Sequence, residues 1–191
     1  DYFRFDFQDP SQFEEDFEEK VKMTTYFRES KLNFKDIGYF TSFFEGIDRT
    51  AEISGKFEGT VADFKSKNLR IKLDNNTLFK GNLDMKGLPF TEKTTFKIKI
   101  DKFTSNEKEL ANLDIPPFTE HKKLSLPKEI KGMGEVDITG LLVGKFNDFK
   151  GNLIAITSQG KIETEARYWE RDKTTLLDGK VIVKNLNLGV F

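Results

Sequence analysis

Apolar and polar residues alternate with period two along much of the chain. Leu69, Ile71 and Leu73 alternate with Asn68, Arg70 and Lys72. Phe96, Ile98 and Ile100 alternate with Lys97, Lys99 and Asp101, and Ile162, Thr164 and Ala166 with Lys161, Glu163 and Glu165. Ile154 and Ile156 continue the pattern, although the intervening Leu153 and Ala155 make that window less clean. Period two with one apolar side marks a strand that buries one face. Turn-forming clusters separate the windows: Asp74-Asn75-Asn76, Lys86-Gly87-Leu88-Pro89, Ser158-Gln159-Gly160 and Leu177-Asp178-Gly179. Strands joined by tight turns predict an all-β fold, a repeated antiparallel meander. With ordinary pairing, Leu69, Ile71, Leu73, Phe96, Ile98, Ile100, Ile154, Ile156 and Ile162 would line one apolar face of a curved, elongated sheet. Whether that face is an open trough or the inside of a closed sandwich is undecided at this level, because both bury one side of every strand.

Two windows depart from period two. In 36–45 the apolar residues Ile37, Phe40, Phe43 and Phe44 have helical spacing, which predicts a short helix capped by Asp36. Its counterpart is 105–113, with Leu110 and Leu113 on one side, followed by a Pro-bearing loop, 112–129, with Pro116, Pro117 and Pro127. The chain also repeats itself. Gly55 and Gly140, Gly59 and Gly144, Asp63 and Asp148, and Phe64 and Phe149 stand a constant 85 residues apart. Leu69 and Ile71 fall on Ile154 and Ile156 at the same offset. Such duplication predicts two units in one continuous sheet, 1–103 and 104–191, the second with strands over 134–191. Glycines within strands permit a bulge or a sharp coil of the sheet. Asp63-Phe64 and Asp148-Phe149 read as a turn residue followed by an apolar anchor.

Composition narrows the chemistry. Of 191 residues, 20 are Phe, which suits strands and brings a large apolar area per residue. The 31 basic and 32 acidic residues are interspersed, so no stripe of positive charge invites nucleic acid. There is no cysteine, which excludes disulfides and zinc-thiolate sites. No run of about 18 apolar residues is present to span a bilayer as a helix. Strand patterns at both ends, Tyr2 to Phe7 and Leu186 to Phe191, suggest an internal piece of a longer protein.

No constellation for catalysis stands out. His121, the only histidine, lies in the Pro-bearing loop beside Lys122 and Lys123, where an exposed loop histidine is the simplest reading. The acidic run Glu14-Glu15-Asp16, Glu18-Glu19 reads as a solvated edge and lacks the Gly-punctuated spacing of a calcium loop. Tyr168 and Trp169 could stack on a sugar or pack across strands. The expectation is therefore a non-catalytic chain with no cofactor and no metal site. The rivals are a cell-surface β-sandwich module binding carbohydrate or protein and, behind it, an enzyme.

The order of these motifs resembles a known family. A short helix (Asp36-Ile37) precedes Ile53-Ser54-Gly55 and Gly59, then Asp63-Phe64, Leu69-Arg70-Ile71, Thr77 to Gly81, Gly87-Leu88-Pro89 and Phe96. A second pass gives Leu126-Pro127, Ile130, Gly134, Ile138-Thr139-Gly140, Asp148-Phe149, Thr157 and Gly160, without a second Gly-Leu-Pro. Over roughly 18–191 this is similar to the TamB-type translocation and assembly module proteins, in the version found in Bacteroidetes. The resemblance implies a parent anchored in the inner membrane of a Gram-negative bacterium and crossing the periplasm as a long β-trough. It also implies phospholipid acyl chains and an outer-membrane barrel assembly factor as partners, in outer-membrane protein assembly or phospholipid transport.

Overall fold

The computed structural model describes residues 1–39, 41–73, 75–115, 118, 121–124, 132–171 and 174–185. The expected turn residue Asp74, the prolines at 116, 117 and 127, the motif Leu126-Pro127-Ile130 and the terminal pattern 186–191 lie outside the described residues.

The chain is all-β. Ten strands form one antiparallel meander in chain order, β1 to β10, and the sheet is open and curled. They are β1 (Tyr2–Asp6), β2 (Lys22–Asn33), β3 (Thr50–Gly59), β4 (Asp63–Leu73), β5 (Thr77–Lys86), β6 (Thr95–Asn106), β7 (Glu135–Lys145), β8 (Asp148–Thr157), β9 (Gly160–Arg171) and β10 (Thr174–Lys184). The boundary expected between 103 and 104 falls inside β6. The turn expected at Leu177-Asp178-Gly179 lies instead within β10, paired with Tyr168, Arg167 and Ala166. Gly179 is there because the strands approach closely: a Cβ would stand 2.5 Å from Ala166 Cα.

Helix is confined to the connections. Between β1 and β2 lie α1 (Gln12–Glu15) and α2 (Phe17–Lys20). The helix expected over 36–45 is two shorter pieces, α3 (Phe34–Ile37) and a 3₁₀ turn (Ser42–Phe44). The cap of α3 is Asn33, whose side chain accepts from Lys35 N–H, and not Asp36. The second helix, α4 (Glu107–Ala111), is capped in the same way by Asn106. In both cases the last strand residue is an Asn that satisfies a helical N–H and so ends the strand.

The two repeats share a hairpin. β3 pairs with β4 so that Gly59 opposes Phe64, and β7 with β8 so that Gly144 opposes Phe149. They then diverge. An extra residue sits in β4 between Ser66 and Leu69, seen against both β3 and β5. Its Asn68 has φ +52°, a conformation Asn tolerates, and its N–H donates to Asn82 Oδ1 (2.9 Å). Similar bulges occur in β2 between Phe27 and Ser30 and in β6 between Ile100 and Phe103. Among the described residues, β8 has no register shift against either neighbour.

The strands between the bulges carry glycine at the same height. Gly55 of β3 lies beside the bulges of β2 and β4, Gly81 of β5 beside those of β4 and β6, and Gly140 of β7 beside that of β6. Gly55 has φ +138°, and a Cβ on it would stand 2.9 Å from Leu69 Cα. Gly151 of β8 is different, since a Cβ there would crowd no backbone: it would press on the flexible end of Leu142 and touch Leu153 at ordinary contact distance. Gly55→Ala is therefore expected to cost about 1–3 kcal/mol through backbone strain, and Gly151→Ala less than about 1 kcal/mol. Urea unfolding of the two variants measures the difference, and equal costs would contradict the account of the belt.

Candidate functional site

The registers define one apolar face. Across its middle they align Phe57, Ser66, Leu83, Ile98, Leu142 and Gly151 on β3 to β8. A parallel row toward the β3–β4 turn is Gly59, Phe64, Met85, Phe96, Gly144, Phe149 and Tyr168. Rings face glycines at Gly59–Phe64 and Phe96–Gly144–Phe149, and between them stand runs of large side chains, Phe64–Met85–Phe96 and Leu83–Ile98–Leu142. Two buried clusters result. Ala51, Ile53 and Leu69 gather Phe27, Leu32, Phe34, Phe57, Ile71, Leu73, Phe79 and Leu83. Met85, Leu88 and Phe96 gather Phe43, Phe64, Ile98, Leu142, Phe146 and Phe149.

Most of the residues expected on this face are there. Leu69 is buried, 1% exposed, and Phe96 is buried. Ile71, Leu73, Ile98, Ile100 and Ile162 are half-buried on the same side. Ile154 and Ile156 are not: they pair with Thr139 and Asp137 on the opposite face, and Ile156 is 55% exposed. Their apolar-side places are taken by Leu153 and Ala155, opposite Gly140 and Ile138. The cause is the β4 bulge. One extra residue switches every later side chain to the other face, so Leu69 matches Leu153, and an offset held at 85 residues matches the wrong faces. The rings of Phe27, Phe57 and Phe79, central to the face, were not singled out by sequence because bulges interrupt the alternation around them.

The other face carries the charged side chains and ion pairs, with Leu141, Val143 and Ile156 also exposed on it. Glu52 meets Arg70 at 2.7 Å, Asp148 receives both Arg167 Nε (2.8 Å) and Nη2 (2.7 Å), and Glu163 takes Lys161 (2.7 Å) and Lys184 (3.0 Å). Asp63, the repeat counterpart of Asp148, pairs with Lys86 at 3.5 Å. Hydrogen bonds from Arg70, Arg167 and Lys161 hold the carboxyls of Glu52, Asp148 and Glu163 respectively below their ordinary affinity for protons. Burial raises Glu109, but hydrogen bonds from Thr77 and Asn76, which tie α4 to the β4–β5 turn, outweigh it and lower the net value. Asp9 is lowered by the Ser11 N–H. These acids are set to stay charged, the opposite of a carboxyl poised to give up a proton near neutrality.

The remaining candidates are placed as follows. His121 is exposed. Asp16 of the acidic run pairs with Lys20 at 2.6 Å, and among the described residues no three His, Cys, Asp or Glu gather as metal ligands would. Tyr168 and Trp169, being consecutive in β9, point to opposite faces. Tyr168 stacks on Phe149 on the apolar side (4.9 Å between centroids), and Trp169 lies under Arg167 (5.2 Å) on the polar side. They form no joint platform.

The trough is partly filled by the chain itself. The β2–β3 connection lays Phe43 against Met85, Leu88 and Phe96, and its ring reaches Phe146 in the β7–β8 turn (6.0 Å). Phe44 stacks on Phe34 (5.3 Å), and Phe118 of the β6–β7 connection closes on Phe43 (5.3 Å). Toward β10 the face is bare, with Leu177 71% exposed beside Val181 and Val183.

No family model, curated protein or solved structure matches this chain. The functional reading therefore rests on the arrangement: an open, curled sheet with one apolar face and ion pairs on the other.

Two outcomes test these assignments. Ile71→Asp should destabilise the chain by more than about 2 kcal/mol, and Ile156→Asp by less than about 0.5 kcal/mol, in denaturant titrations; similar costs would refute the face assignment. Carboxylates lowered in the folded state contribute stability that is complete above their unfolded range, about pH 4, and is lost as pH falls from there through their lower folded-state range. The melting temperature should thus fall on acidification, and Asp148→Asn should flatten part of that fall. An unchanged slope in Asp148→Asn would show that its pair with Arg167 contributes nothing.

Proposed function

We propose that this chain is a non-catalytic segment of an envelope-spanning protein of TamB type, and that its concave face shields phospholipid acyl chains from water. The supporting observation is the single open sheet of ten strands with one apolar face running across it and ion pairs on the other. Moving acyl chains from water onto such a face gains about 0.8 kcal/mol per CH₂, with no need for a catalytic group. The charged outer face keeps the sheet in water. In this reading the segment is periplasmic, the parent is anchored in the inner membrane, and an outer-membrane barrel assembly factor engages the parent. The service is outer-membrane protein assembly, phospholipid transport or both.

A cell-surface sandwich module binding carbohydrate draws less support. The described strands belong to one sheet, and the two aromatic residues offered for a sugar platform face apart. A protein-binding role keeps one favourable observation. Among the described residues β10 pairs with β9, which leaves open a strand-adding partner at its other edge as an outcome of the test below.

The test is photo-crosslinking in cells carrying the full-length parent. A crosslinking residue at Ile71 or Ile98 should capture phospholipid, and one at Arg70 or Lys97, on the outer face, should not. Capture of protein alone from both apolar positions would refute acyl shielding by this segment.

A further inference from the structure

The described residues of 34–49 form a closed loop on a narrow neck. At the neck Phe34 N–H donates to Arg49 C=O (2.9 Å) and Asn33 Nδ2 donates to Asp48 Oδ1 (2.9 Å), so the loop's two ends meet. Inside it the N–H groups of Gly38, Tyr39, Thr41, Glu45 and Ile47 all donate to carbonyls of the loop itself. Apart from the Lys35 N–H that Asn33 of β2 caps at the neck, no hydrogen bond or ion pair among the described residues joins 35–47 to the strands. The body is held down by apolar contact: Phe43 on Met85, Leu88 and Phe96, with Phe146 and Phe118 around it. Its outward side carries Tyr39, 82% exposed, so no further layer of described residues covers it.

Compact loops with adjoining ends and internal bonding often carry function. Apolar contact is non-directional, so another apolar group can take the seat of a ring without breaking a polar bond. The neck is polar and fixed, whereas the body is apolar and replaceable. That division of bonding is what a hinged cover requires.

We propose that this loop gates the trough. With no ligand bound, Phe43 occupies the seat formed by Met85, Leu88, Phe96 and Phe146. A long acyl chain takes the same seat by displacing the loop, which swings about Asn33–Phe34 and Asp48–Arg49. This rests on the acyl-shielding reading above and adds where the chain is received and what competes with it. A cover closed nine-tenths of the time lowers apparent affinity about tenfold, and its removal returns that factor.

The experiment titrates the 191-residue chain with cis-parinaric acid, an 18-carbon acid that fluoresces in apolar surroundings. Phe43→Ser, and separately replacement of 35–47 by a short Gly-Ser linker, should tighten binding by about tenfold. Phe96→Ser, which removes the floor of the seat, should abolish it. Hydrogen exchange on the unaltered chain supplies an arm that needs no variant. On adding the probe, the amides of Gly38, Glu45 and Ile47 should exchange faster while those of β5 and β6 slow. If the unaltered chain binds the probe but the loop variants bind no tighter, or the loop amides slow, the gate is refuted and acyl shielding stands. If neither the unaltered chain nor the loop variants bind, both readings fall.

Discussion

Side chains along a strand alternate between faces with a period of two, so one extra residue in a strand sends everything beyond it to the opposite side. Three strands here, β2, β4 and β6, each hold such a residue at the same height, and all keep an apolar concave face on both sides of it. They can do so only because the sequence changes phase at the bulge: Phe64 and Ser66 before it in β4, Leu69, Ile71 and Leu73 after it. The strands between answer with Gly55, Gly81 and Gly140, where a side chain would collide with a neighbouring strand: Leu69 of bulged β4, the Lys99 carbonyl of bulged β6 and the Asn152 carbonyl of regular β8, respectively. Bulges increase local twist and bend a sheet, and glycines let it happen. The trough depends on this belt.

The belt also explains what the trough contains. A coiled sheet brings its two ends nearer each other, and a connection leaving one end can lie across the hollow. Phe43 does so, starting beside β2 and ending against Phe146 in a turn at the other end. The hollow over β3 to β7 is thus a core shared between sheet and loop. Over β8 to β10 the strands are regular, Gly151, Ala166 and Gly179 form one row of small residues across the face, and it stands open at Leu177, Val181 and Val183. Surface ion pairs on the outer side add little stability individually. They keep charge on the outer face, where Leu141, Val143 and Ile156 are also exposed.

Fold class, the meander and the repeated hairpin were legible because they rest on period-two alternation and on glycines in fixed spacing. Gly55 with Gly140 and Gly59 with Gly144 do mark equivalent hairpins. The face of β8 was misread because Leu69-Arg70-Ile71 and Ile154-Ala155-Ile156 look alike in sequence, and only the bulge beside Asn68 separates their phases. An Asn in a strand, tolerant of positive φ and followed by a change of phase, was the available signal. Helix caps were displaced for a simpler reason. Asn33 and Asn106 each end a long strand and start a helix at one residue, whereas Asp36 lies a turn further on. The loop across the trough had no signature, since its contacts join residues far apart in sequence and follow from the curl of the sheet.

The phase change in β4 is the point on which the account stands, and the absence of cysteine makes it directly measurable. Single cysteines placed in turn at each position of 64–73 provide a lone thiol whose maleimide reaction rate reports its face. The account predicts slow reaction at 64, 66, 69, 71 and 73 and fast reaction at 65, 67, 68, 70 and 72, with two adjacent fast positions at Lys67 and Asn68. Unbroken alternation, slow at 64, 66, 68, 70 and 72, would contradict it.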